Sequence, residues 1–280
     1  MPRCKARESD TPSADVRGIH LYYRSTGSGE TLLFVHGLGS SERDWSFQTP
    51  VFSSDYRVIA YDLRGHGQSE KSAGPYSMAQ FAADTAALLR VIDSRPAHVV
   101  GISLGGMVAL QLALDAPEMV RSLCIVNSAP EVSVRTLRQR SEMALRMFIT
   151  RVLGMRAMAA FIAAKVFPEP ENAQLRRAMA ALWSQNDRRA YAAASRALPG
   201  WSVLNRLKEI SCRALVVSGD RPYSSLLQSE PRLAEIPGAQ VVIIPGALHA
   251  APVQQPEQFN AALRAFLSAQ TVTPADESVD

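Results

Sequence analysis

The chain has 280 residues, 47 % of them apolar, and a formal charge of +4. That length fits one large domain with an insertion or two small domains, and the apolar share excludes a chain that stays unfolded throughout. No apolar run approaches the ~20 residues that span a bilayer, and residues 1–16 have charge and proline but no apolar stretch. Neither a membrane span nor a secretory signal is therefore expected, and a cytoplasmic location is.

Taken in order, residues 1–14 read as a disordered tail and 17–24, rich in β-formers, as an antiparallel edge strand. Short continuous apolar runs follow at 32–35, 58–61, 99–102, 123–126, 214–217 and 241–244. Strands buried on both faces of a parallel sheet have this pattern. Helical patterns at 78–92 and 104–116 separate some of them, a last helix is expected at 256–268, and 270–280 reads as a second disordered tail. Alternating strand and helix predict an α/β fold with a doubly wound, mostly parallel sheet. Cys4, Cys124 and Cys212 form an odd, widely spaced set without metal-ligand spacing, and the latter two read as core.

The alternation stops between residues 131 and 206. Leu145, Phe148, Ile149 and Val152 repeat at i, i+3, i+4, i+7, and Leu175, Met179, Leu182 and Trp183 again keep helical spacing, at i, i+4, i+7, i+8. The organisation expected is a core at 15–130 and 207–269 with an all-helical insertion at 131–206. The insertion holds thirteen Arg and Lys against five Asp and Glu, a net +8, which leaves −4 elsewhere. No aromatic-interleaved basic patch accompanies it, so no nucleic-acid partner is expected. The sequence gives no oligomeric state.

Gly101-Ile102-Ser103-Leu104-Gly105 follows an apolar strand and opens a helical pattern. This is G-x-S-x-G in the strand–turn–helix context that makes the serine a nucleophile. The turn is too sharp for side chains two residues either side, and the glycines remove them. Helix N-terminal amides then face the site, and the Leu104 N–H can stabilise an oxyanion. A surface serine in a glycine-rich turn is the competing interpretation, and the flanking strand and helix decide against it.

Over about residues 17–268 the chain resembles the α/β-hydrolase fold family, and around 101–106 it is most similar to serine esterases and enol-lactonases. His36-Gly37 stands where that family has its oxyanion-hole turn, which implies the Leu38 N–H as second donor. Asp62-Leu63-Arg64-Gly65-His66-Gly67-Gln68-Ser69 resembles the loop after the next strand, and the helical insertion sits where the family places its lid. The resemblance implies His249 as general base, after the last strand, in the order serine, acid, histidine. Of the other histidines, His20 and His98 fall in strands, and His36 and His66 are expected to bond backbone. The family's usual acid, in G-x-x-D, falls on Pro222 in Gly219-Asp220-Arg221-Pro222. Asp220 is the favoured acid, with Glu131 or no acid as alternatives; Asn127 could orient His249 but could not neutralise it.

Met147, Phe148 and Trp183 of the insertion are candidate substrate-lining residues, although at helical spacing they also suit simple packing. The basic insertion suggests steering of an anionic small-molecule acyl substrate, with a solvated face as the plainer interpretation. Ser103 suits acyl transfer to water, as a carboxylic-ester or lactone hydrolase. The alternatives are a thioesterase, a carbon–carbon bond hydrolase, or a catalytically weakened ligand-binding protein, the last because of Pro222. No metal and no organic cofactor are expected.

Overall fold

The computed structural model describes residues 12–221 and 224–269. The expected tails lie mostly outside those residues, except that the first strand begins inside one of them. β1 (Ser13–Val16) and β2 (Ile19–Thr26) form an antiparallel hairpin, so the expected edge strand is the second of a pair. β3 (Thr31–Val35), α1 (Thr49–Phe52), β4 (Arg57–Tyr61), α2 (Met78–Val91), β5 (Ala97–Ile102), α3 (Leu104–Asp115) and β6 (Val120–Val126) follow. The sheet has eight strands in the order β1-β2-β4-β3-β5-β6-β7-β8, where β7 is Arg213–Gly219 and β8 is Gln240–Ile244. β4 pairs antiparallel with β2, and from there to β8 every pairing is parallel.

β3 and β5 are buried at every position, because helices cover both faces of the sheet. α2 and α3 pack one face, with Phe81, Leu88, Val108 and Leu112. The other face is closed by α8 (Ala251–Gln254), α9 (Pro256–Ser268) and the segment around Trp45, which stacks on Phe34 at 4.5 Å. β8 departs from the continuous-run pattern. Val241 and Ile243 are exposed, because β8 is the sheet's outer strand and one of its faces has no covering helix.

Between β6 and β7 lie α4 (Leu137–Phe148), a wider helical turn at Ile149–Leu153, α5 (Gly154–Val166), α6 (Ala173–Trp183) and α7 (Arg188–Arg196). This insertion docks on the sheet's C-terminal edge. Trp183 Nε1–H donates to Ser40 Oγ at 3.2 Å, and Ile149, Met158 and Tyr191 pack beside Leu38.

Candidate active site

Ser103 is the link between β5 and α3, with φ 54° and ψ −115°. For a residue with a side chain this conformation costs on the order of 1–3 kcal/mol, so the surroundings must enforce it. The Ser103 N–H donates to Val126 O at 2.9 Å, and Ser128 Oγ–H donates to the Ser103 carbonyl at 2.6 Å. A side chain at Gly101 would strike the Gly105 carbonyl, and one at Gly105 would strike the carbonyls of Val35 and His36. Gly101 thus lets β5 and α3 cross closely, and Gly105 lets the start of α3 lie against the end of β3.

Leu104 opens α3, where the first N–H groups have no partner within the helix. Gly37 lies against the serine: a side chain there would meet Ser103 Cβ at 3.5 Å. The turn carrying Leu38 is fixed by His36. The Leu63 N–H donates to His36 Nε2 at 3.0 Å, which leaves the proton on Nδ1 to donate to Gly37 O at 2.7 Å. Burial holds this imidazole neutral, with its pKa lowered to about 4. His66 Nδ1–H likewise donates to a backbone carbonyl, that of Arg64, at 3.0 Å.

His249 is in the loop between β8 and α8. Burial, reinforced by the Arg146 guanidinium, lowers its pKa to about 3, so the ring is neutral at pH 7. Its loop is held by Asn127 at the end of β6. Asn127 Nδ2–H donates to the carbonyls of Leu248 at 3.0 Å and His249 at 2.9 Å, and its Oδ1 accepts from the Gly219 N–H at 2.8 Å. Asn127 therefore orients the backbone that carries His249.

The carboxylate of Asp220 accepts the Gly246 N–H at 2.8 Å and lies 3.7 Å from Arg221 Nε, with its side chain 39 % exposed. Glu131 pairs through its backbone with Ser202, and its charge acts on Arg232. Pro222 lies outside the described residues. The Arg146 guanidinium acts on the His249 ring.

Ser103, Leu38, Leu104 and Met107 share a cleft of about 70 Å³ with Arg146, Ile162, Tyr191 and Leu198 of the insertion and with Ser224, Leu226 and Leu227 after β7. Phe148 is 55 % exposed on the outer face of α4, and Met147 is half-buried. Trp183 stacks on Phe167 and lines a separate cleft with Glu42, Asp62 and Gln68. Sequence reasoning did not single out Ser128 or Arg146. The i, i+4 spacing of Glu142 and Arg146 marks an ion pair, found at 3.1 Å, but spacing does not say that Arg146 lines the cleft with Ser103. Among the described residues, no group of three or more His, Cys, Asp and Glu could hold a metal ion.

A sequence model described as the Alpha/beta hydrolase family matches residues 32–262. The chain belongs to that family. It is 27 % identical over 252 residues to 3-oxoadipate enol-lactonase 2 of Acinetobacter baylyi, covering 89 % of this chain and 93 % of the relative. The crystal structure of the enol-lactonase from Burkholderia xenovorans LB400 superposes with a TM-score of 0.85 at 25 % identity, over 92 % of this chain and all of the other. A 131-residue stretch is 41 % identical to the dihydrolipoyllysine-residue acetyltransferase component of the acetoin cleaving system of Cupriavidus necator. That match spans 45 % of this chain and only 35 % of that protein.

Proposed function

We propose that this α/β hydrolase cleaves a carboxylic ester or lactone through an acyl-enzyme on Ser103. The observation that carries the reading is the strained serine at a strand–helix turn, beside the Gly37–Leu38 turn and at the wall of a cleft. The likeness to enol-lactonases supports it. In this reading neutral His249 accepts the Ser103 proton as the hydroxyl attacks the carbonyl, and returns it to the leaving alkoxide or enolate. The N–H groups of Leu38 and Leu104 receive the developing oxyanion. Water then attacks the acyl-enzyme with the same proton transfers in reverse order. This chemistry needs no cofactor. The helical insertion serves as the lid, and Arg146 favours substrates carrying an anion. Asp220 acts on His249 by holding its loop through Gly246.

A fluorophosphonate probe tests the reading, with labelling mapped by mass spectrometry and turnover measured on p-nitrophenyl esters and small lactones. Labelling is expected at Ser103. Ser103→Ala is expected to lose on the order of 10⁵ or more in kcat with an unchanged melting temperature, and His249→Ala nearly as much, because such residues act as a unit. Ser103→Ala activity within about tenfold of the parent would overturn it.

The second reading is a ligand-binding member with weak turnover. Arg146 favours it, because a guanidinium beside His249 opposes the imidazolium that acyl transfer must form. Tight ligand binding without labelling of Ser103 would distinguish it.

A further inference from the structure

The helical insertion turns an apolar face to solvent. Along α4 and the helical turn that continues it, Leu137, Leu145, Phe148, Val152 and Leu153 are between 46 % and 82 % exposed. At about 100° per residue, Leu137, Leu145, Phe148 and Val152 fall on one face of the helix. The opposite side is the buried one, at Gln139 and Thr150. A helix of a globular protein normally buries its apolar stripe. This one exposes it, and a contiguous exposed apolar patch marks an interaction surface.

Cations border the patch. Arg138 flanks it on one side of the helix and Arg140 and Arg151 on the other. Arg188 Nη1–H donates to the Arg151 carbonyl at 3.3 Å, which holds α7 against the turn. Arg151, Arg188, Arg189 and Arg196 then surround a surface cleft of about 250 Å³. All four are exposed, and none is ion-paired among the described residues. The nearby acids are engaged elsewhere: Glu142 accepts from Ser224 Oγ and Ser225 Oγ, both at 2.7 Å, and Asp187 accepts the Ala190 N–H at the start of α7.

We propose that this face docks on the surface of an anionic lipid bilayer. α4 lies in the plane of the interface, its apolar side chains enter the headgroup boundary, and the arginines meet lipid phosphates. The charge complementarity selects this occupant. A spanning arrangement does not fit, although residues 137–166 are long and apolar enough by composition. Gly154, at φ 82°, breaks the helix between α4 and α5, and Arg151 and Arg156 lie within its most apolar stretch and would enter hydrocarbon. The proposal is independent of the ester reading, since its test reads binding and not turnover.

The full chain is floated with vesicles of phosphatidylcholine alone and of equal parts phosphatidylcholine and phosphatidylglycerol, at low and at physiological salt. Binding is expected to the phosphatidylglycerol vesicles and to weaken with salt. The double variant Arg188→Gln/Arg189→Gln is expected to lower the partition coefficient about thirtyfold, at about 1 kcal/mol per charge. Val152→Ser/Leu153→Ser is expected to lower it about tenfold or more, by removing buried apolar contact. Melting temperatures equal to the parent's establish that both variants fold. Absence of binding to phosphatidylglycerol vesicles at low salt would overturn the proposal. So would binding that the Val152/Leu153 variant leaves unchanged, or a self-association in ultracentrifugation that this variant abolishes, which would assign the face to a second copy of the chain.

Discussion

Asp220 and Arg146 are the two residues whose roles depend most on contacts. The Asp220 carboxylate bonds a backbone N–H on the turn before His249, and an asparagine oxygen can accept the same bond. Asp220→Asn is therefore expected to keep kcat within about tenfold of the parent. A carboxylate acting directly on the imidazolium would instead cost on the order of 10²–10⁴, as loss of the acid does in serine proteases. Glu131→Gln is expected to change little, since its charge acts on Arg232. Arg146 lines the serine cleft and opposes protonation of His249. Arg146→Gln is expected to lower kcat/KM for a carboxylate-bearing ester about tenfold or more relative to its neutral analogue, since a desolvated charge partner is lost. The same change should move the acid limb of the kcat/KM profile upward from its depressed position. Equal effects on the two esters would remove Arg146 from substrate recognition.

At the scale of elements, the site depends on how the ends of β5, β6 and β7 meet the loop after β8. Asn127, buried at φ 42°, is the knot: it donates twice to the His249 loop and accepts once from the end of β7. Asn127→Ala strands those groups, at about 1–3 kcal/mol for each one left buried without a partner. A fall of several degrees in melting temperature and of about tenfold or more in kcat is expected. Asn127→Gly suits the positive φ and still lacks the amide, so it should lose kcat to a similar degree. Restoration of kcat in the glycine variant would assign the effect to backbone strain. The expectation that Leu145, Phe148, Ile149 and Val152 form one packing face failed at this scale. Only Ile149, at the edge of that face, is buried, because among the described residues nothing covers its outer side.

For the whole molecule, the buried histidines set the response to pH. Burial lowers the pKa of His36 to about 4 and of His66 and His249 to about 3, from 6.5. Below pH 6.5 the unfolded chain binds protons at these sites that the folded chain refuses, so stability rises with pH across this window and is lost as pH falls. Asp44 runs the other way: burial raises its pKa to about 7 from 3.8, so it favours the folded state as pH falls from 7. The three histidines, joined by His98, outweigh Asp44 and the smaller upward shifts of Glu42, Asp62 and Glu230, which predicts a net loss, read as a falling melting temperature as the pH is lowered from 6.5 to about 4. A flat profile over that range would contradict it.

The sequence by itself determined the sheet, the helical insertion and the strand–helix turn at Ser103. Strand burial on both faces writes itself as continuous apolar runs, and a sharp strand–helix turn demands glycines at fixed offsets around Ser103; both are local constraints. The tertiary structure alone decided what neighbours each side chain has. Asn127 and Leu248 are 121 positions apart along the chain and 3.0 Å apart in space. That Asp220 turns to Gly246, that Arg146 faces the serine cleft, and that Phe148 faces outward follow from how β7, β8 and α4 pack. Periodicity assigns residues to one helix face; only the packing of neighbouring elements decides whether that face meets the core or the solvent.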